Sequence, residues 1–170
     1  ALGVASSVGS FNFIPSGFSG QGDALFVSYN ASVVYRLPFT ETAGVYDFQE
    51  ATHSVQISGG PEGLTHVPIG SAVFGDTPHV LVSAYSANEI VAYALDANGL
   101  PDPATARTIV SGLTNAEGAT VDPVTGDFLF SSSGGDNEVY RVTDFLPEPS
   151  AYALISGLFA FSALMIRRRF

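Results

Sequence analysis

The side chains in this 170-residue chain that could do chemistry are few and scattered. Cysteine is absent, which removes thiolate nucleophiles, disulfides and every sulfur-based metal site. His53, His66 and His79 stand singly, at no spacing such as His-x3-His, so each reads as an ordinary polar side chain in a strand or turn. Serine is plentiful, yet there is no Gly-x-Ser-x-Gly elbow and no Ser-His-Asp set can be assembled. Two oxygen-rich stretches, DPVTGD at 122–127 and SGGDNE at 133–138, offer the ligand types that Ca²⁺ takes. Neither has the spacing of a defined Ca²⁺ loop, and hairpin turns use the same residues. Asn30 opens an Asn-Ala-Ser step that fits a glycosylation acceptor. Glu62 and Glu117 each precede a glycine, in PEG and AEG, where a carboxylate at the start of a strand commonly serves a turn through local hydrogen bonds.

Charge is distributed unevenly along the chain. Lysine is absent, and the six arginines face 16 acidic residues for a net charge of −10. Before Pro147 the chain carries −12, whereas the stretch from Pro147 onward carries +2, because Arg167, Arg168 and Arg169 sit together near its end. A body this acidic, with no basic stripe, is repelled by phosphate, which argues against nucleic acid as a partner. Acidic polysaccharide is disfavoured for the same reason unless cations bridge the two. Neutral glycans, proteins and small molecules remain open.

The tail has its own order of parts. Pro147, Glu148, Pro149 and Ser150 precede residues 151–166, which carry no charge, and the arginines follow. As a helix that run covers about 24 Å, short of a bilayer core of about 30 Å. Local thinning and snorkelling arginines absorb such a mismatch. Ser150 is a good N-cap, and arginine beside an apolar segment marks its cytoplasmic side. The acidic body is therefore expected on the exported side. The tail resembles the PEP-CTERM sorting signal of Gram-negative bacteria, in which a Pro-Glu-Pro motif, an apolar helix and a basic end are recognised by an exosortase, a membrane enzyme. The resemblance implies that Pro147, Glu148, Pro149 and Ser150 form the sorting motif and Arg167 to Arg169 the basic stop. It also implies an inner-membrane-anchored precursor whose body reaches the cell surface or medium. The opening ALGVASSVGS lacks the features of a secretory signal, so further sequence upstream is expected.

The body must then supply a fold rich in short strands. Apolar and polar residues alternate in ALFVSYNASVVYRL, HVLVSAYSANEIVAYAL and DFLFSSSGGDNEVYRV, as half-buried strands require. Superposing these stretches puts Ser28, Ser83 and Ser131 in one column and Tyr35, Tyr93 and Tyr140 in another, with serine spacings of 55 and 48 residues. PSG at Pro15, PEG at Pro61 and AEG at Ala116 lie upstream of each. A period near fifty residues with several strands per unit predicts β-propeller blades. The second blade is expected to run through residues 63–68, 79–85 and 89–95, with an outer strand within 105–111. The last unit reaches Val142 without an outer strand.

The predicted fold is all-β. Residues 1–143 are expected to form a partial β-propeller of about three four-stranded blades in an open arc. A linker with the Pro-Glu-Pro motif over 144–150, a transmembrane helix over 151–166 and a basic cytoplasmic end over 167–170 follow. Three blades do not close a ring, so either blades lie upstream or two chains complete a six-bladed ring. The blade sequence is similar to NHL and gluconolactonase-like propellers, whose repeats often begin Pro-x-Gly or Glu-Gly. In the latter enzymes that resemblance implies a Glu holding a divalent metal such as Ca²⁺ over the central channel, and Glu62 and Glu117 are the matching positions. The aromatic-Asp that follows the family's step is replaced here by LTHVP and ATVDP, and no partner Asn can be assigned. The expected function is a non-catalytic binding or scaffold role without a cofactor. A metal-dependent lactonase-type hydrolase is the alternative.

Overall fold

The computed structural model describes residues 1–122, 124–135 and 138–143. The expected motif at Pro147 to Ser150, the helix over 151–166 and the arginines Arg167 to Arg169 lie outside the described residues. Among the described residues, no helix is long and apolar enough to cross a membrane.

The fold is all-β, with twelve strands in three consecutive antiparallel sheets among the described residues. The first sheet holds β1 (Val8–Phe13), β2 (Asp23–Ser28), β3 (Val33–Thr42), β4 (Val45–Phe48) and β5 (His53–Gln56). The second is the meander β6 (Pro61–Val67), β7 (His79–Ala84), β8 (Glu89–Ala94) and β9 (Arg107–Ser111), in that order. The third is β10 (Ala116–Val121), β11 (Phe128–Ser132) and β12 (Val139–Val142). The first strands of the three sheets, β1, β6 and β10, lie side by side.

Register shows how closely the sheets repeat. Val8 pairs with Ser28, Pro61 with Ala84 and Ala116 with Ser132, and each ladder then skips at the next residue. That skip is a β-bulge, which leaves one residue unpaired and re-aims its side chain. The residue before each of these strands, Ser7, Gly60 and Asn115, has a positive φ of 63°, 63° and 54°. Backbone bonds repeat as well: Tyr29 N donates to Ser7 O, Tyr85 N to Gly60 O and Ser133 N to Asn115 O, at 2.9, 2.9 and 3.1 Å. The repetition therefore lives in the backbone even where side chains differ.

These registers correct three sequence expectations. Ser83 and Ser131 are equivalent, but their partner in the first sheet is Val27, while Ser28 is equivalent to Ala84 and Ser132. A one-residue slip in a strand moves a side chain to the opposite face, so the column of three serines does not exist. Tyr35 and Tyr140 are equivalent, whereas Tyr93 lies two residues along, level with Leu37 and Val142. PSG at Pro15 falls in the loop after β1, and the counterpart of PEG and AEG is Val8-Gly9-Ser10. The first sheet also gains β4, a hairpin folded back on β3, while β5 pairs β3 in the place that β9 takes beside β8.

Each sheet has two apolar faces, and the cores lie between sheets. Leu25, Val27 and Val34 of the first sheet meet Leu64, Val80, Val82, Val91 and Tyr93 of the second. Leu81, Ile90 and Ala92, on the second sheet's other face, meet Phe128 and Phe130 of the third. Burying one such side chain contributes about 1.5–3 kcal/mol. Polar ties fasten the first interface at its margin: Ser19 Oγ donates to Ala97 O, and Arg36, which bonds Asp23 within its own sheet, donates to Asn98 O, all at 2.7 Å.

Leu81 is fully buried between the second and third sheets. Leu81→Ala is expected to lower unfolding free energy by about 2–5 kcal/mol. Val124→Ala, at a side chain that is 89% exposed, should stay within about 0.5 kcal/mol of the parent. Equal midpoints for the two variants in urea titration would contradict the stacking of the sheets.

Candidate functional site

Glu62 and Glu117 both occupy the bulge position of a first strand, where Gly9 is their counterpart in β1. Because the bulge takes these side chains out of the ladder, both are half-buried rather than packed in a core. The structure brings the pair together: Glu62 feels the charge of Glu117, and burial plus that repulsion push its carboxyl above the usual value of 4.5. The Glu62 side chain lies across β1, where a Cβ placed on Gly9 would stand 2.1 Å from Glu62 Oε2. Gly9 thus leaves the space that the Glu62 carboxylate fills.

A second feature lies at the far end of the same strands. His66, near the end of β6, is 5% exposed. The sequence expectation of an ordinary polar side chain fails here, because Phe18 from the preceding sheet covers the ring edge-on at 5.0 Å. Its Nδ1 is 3.3 Å from Asn12 Oδ1 across the sheet interface, and its Nε2 has no partner among the described residues. Burial lowers its pKa from 6.5 to about 4, so the ring is neutral at physiological pH. His66 lines a small cavity of about 260 Å³ with Pro15, Ser16, Phe18, Pro68 and Ile69.

The other candidates serve local structure. His53 Nδ1 is 3.0 Å from Thr52 Oγ1 at the surface. His79 bonds Thr77 O at 2.8 Å and stacks on Phe74. Asp122 accepts from Val124 N at 2.8 Å within its own turn, and that bond holds its carboxyl below the usual range. Asp127 pairs with Arg141 at 2.9 Å. In SGGDNE, Asp136 and Asn137 lie outside the described residues, and Glu138 meets the Tyr140 hydroxyl at 2.5 Å. Asn30 is exposed in the turn between β2 and β3. Among the described residues, no three His, Asp or Glu side chains gather as a metal site would require. The Glu62–Glu117 pair supplies two carboxylates at most. The closeness of the pair could have been foreseen only from a correct alignment of the bulges.

No protein-family model matches the chain, and no curated protein is significantly similar to it.

Ionising Glu62 works against the fold, because its carboxyl binds the proton more tightly when folded than when unfolded. Its contribution is fully present below the unfolded value of 4.5 and is lost as pH rises through the raised folded value. Glu62→Gln is therefore expected to melt higher than the parent at about pH 8, with the gain vanishing by about pH 4. A variant whose melting point falls below the parent's by more at about pH 8 than at about pH 4 would show that the carboxylate is stabilised rather than strained.

Proposed function

We propose that residues 1–143 are an arc of β-propeller blades with a non-catalytic binding or scaffold role, exported to the bacterial cell envelope or matrix. One observation carries the blade reading: three meanders repeat in register, each with a bulge in its first strand, and those first strands lie side by side. Radial repetition of such sheets about one axis is the propeller architecture. Support for export comes from the sequence alone, through Pro147, Glu148, Pro149 and Ser150, the uncharged run 151–166 and Arg167 to Arg169. An exosortase-type enzyme would be the processing partner, and neutral glycans or proteins the class of ligand compatible with an acidic body.

The sorting proposal is tested in a host with an exosortase. Alanines at Pro147, Glu148 and Pro149 are expected to leave a full-length protein in the inner membrane, while the parent is recovered without its tail. Removing Arg167 to Arg169 should misplace unprocessed body, because the charge that fixes topology is gone. Recovery of parent and alanine variant alike with the tail attached would reduce the segment to a plain anchor.

The proximity of Glu62 and Glu117 favours a second reading, a metal-dependent lactonase-type hydrolase. Two carboxylates with no third protein ligand among the described residues make a weak site, so calorimetry with Ca²⁺, Mn²⁺ and Zn²⁺ is expected to show no micromolar binding. Micromolar binding that disappears in Glu62→Gln or Glu117→Gln would turn the assignment toward the enzyme.

A further inference from the structure

A pocket of about 210 Å³ opens between the loop that follows β5 and the last two strands of the second sheet, β8 and β9. Its volume lies below the roughly 300 Å³ at which sites for drug-sized ligands begin, so it suits one ring or end group rather than an extended ligand. Glu89, Val91 and Tyr93 alternate along β8, and Thr108 on β9 stands opposite Val91, so their side chains share the face turned to the first sheet. The wall across from them is fixed by backbone: Ser86 N donates to Gly59 O and Tyr85 N to Gly60 O, both at 2.9 Å. Gly59, at a φ of 91°, sits where a Cβ would stand 2.8 Å from Ala84 Cβ, which is why the loop can close in so tightly. The fold itself therefore builds the pocket.

Two polar groups converge on it. A buried tyrosine normally finds a partner for its hydroxyl. Tyr93, only 3% exposed and part of the pocket lining, has none among the described residues. Burial and the nearby charge of Glu89 push its pKa above the usual 10.0, so the hydroxyl keeps its proton and needs an acceptor. Glu89 is half-buried; one carboxylate oxygen accepts from Thr108 Oγ1 at 3.0 Å, and the other meets no donor among the described residues. The pocket thus presents one donor and one acceptor beside the apolar side chains of Ala84 and Val91. An ammonium would satisfy Glu89 but, having no acceptor, would strand the Tyr93 proton. Hydroxyls donate and accept at once, and a sugar ring adds C–H faces for the apolar side.

We propose that this pocket holds a neutral sugar unit, with one hydroxyl donating to Glu89 and another accepting from Tyr93. The assignment gives a site to the binding role proposed above and rests on it. Anionic sugars are refused, because no arginine lines the pocket and Glu89 does.

The test uses the full chain in a polyoxyethylene detergent, which offers no sugar of its own. Saturation-transfer NMR at neutral pH is run with D-glucose, D-galactose, D-mannose, L-fucose and N-acetyl-D-glucosamine, with methylammonium and D-glucuronate as controls. At least one neutral sugar is expected to give a saturable signal, and Tyr93→Phe, which removes only the hydroxyl, to weaken its binding about tenfold. Glu89→Ala, at a half-buried position, should weaken it at least as much and reads the same contact without disturbing the core. Saturation by methylammonium in place of the sugars, lost in Glu89→Ala, would make this a cation site and overturn the proposal. Sugar binding that both variants leave intact would overturn the pocket while the binding role stands on another surface. No saturation by any of the sugars overturns the pocket as well. Gel retardation by dextran or galactomannan then separates the two readings: retardation keeps a glycan-binding role elsewhere on the chain, and its absence removes glycans from that role.

Discussion

The fold depends on how closely the first strands of neighbouring sheets approach, and Gly63 makes that approach possible. A Cβ at Gly63 would stand 2.1 Å from Glu117 O and 2.8 Å from Ala119 N, both backbone atoms that cannot swing aside. Sheets packed through side chains normally lie about 10 Å apart, so β6 and β10 here meet at far shorter range than their cores allow elsewhere. Gly9 does the same against β6, where a Cβ would stand 2.8 Å from Glu62 Cα. Tight contact at the first strands, with Val, Leu, Ile and Phe filling the space between the later strands, turns a row of meanders into a stack with a defined inner edge. The bulges belong to the same constraint, since they set the strand's path where the backbones come together.

Electrostatics follows from that packing. The three arginines among the described residues are committed within the chain: Arg36 to Asp23 and Asn98, Arg141 to Asp127, and Arg107 over the Phe74 ring at 5.0 Å. Little positive charge is left to meet a ligand. The carboxylates outnumber these arginines, so the body is strongly acidic.

How much of this was legible varied with the source of each feature. The strands of the second sheet were readable to within about two residues, because alternation and turn residues are local signals. The outer strand within 105–111 joins its own sheet as β9. Column assignments failed where they relied on identical letters: Ser28, Ser83 and Ser131 look alike, but a bulge or a turn of different composition shifts one by a residue. The β4 hairpin was invisible because its turn places Ala43 and Gly44 at φ of 52° and 82°. Asn-Gly or Asp-Gly usually announces that turn, and alanine does not. His66 was misread because its burial comes from Phe18, a residue 48 positions away that no local pattern connects to it.

The bulge position takes its side chain out of the ladder, yet in the first sheet it is held to glycine, since a Cβ on Gly9 would stand 2.8 Å from Glu62 Cα. Its side chain leaves the ladder, so Gly9, Glu62 and Glu117 differ in charge and size while Val8, Pro61 and Ala116 before them keep the same pairing. Packing fixes the neighbours: Leu64 and Ala116 are buried, and the alternate residues face a sheet. The cost that does appear, the raised carboxyl of Glu62, comes first from its burial and then from the like charge of Glu117. Like charges held together at a half-buried position are favourable only when something of opposite sign or a proton offsets them. At the inner edge, then, it is packing that sets the carboxyl chemistry, by half-burying Glu62 beside Glu117.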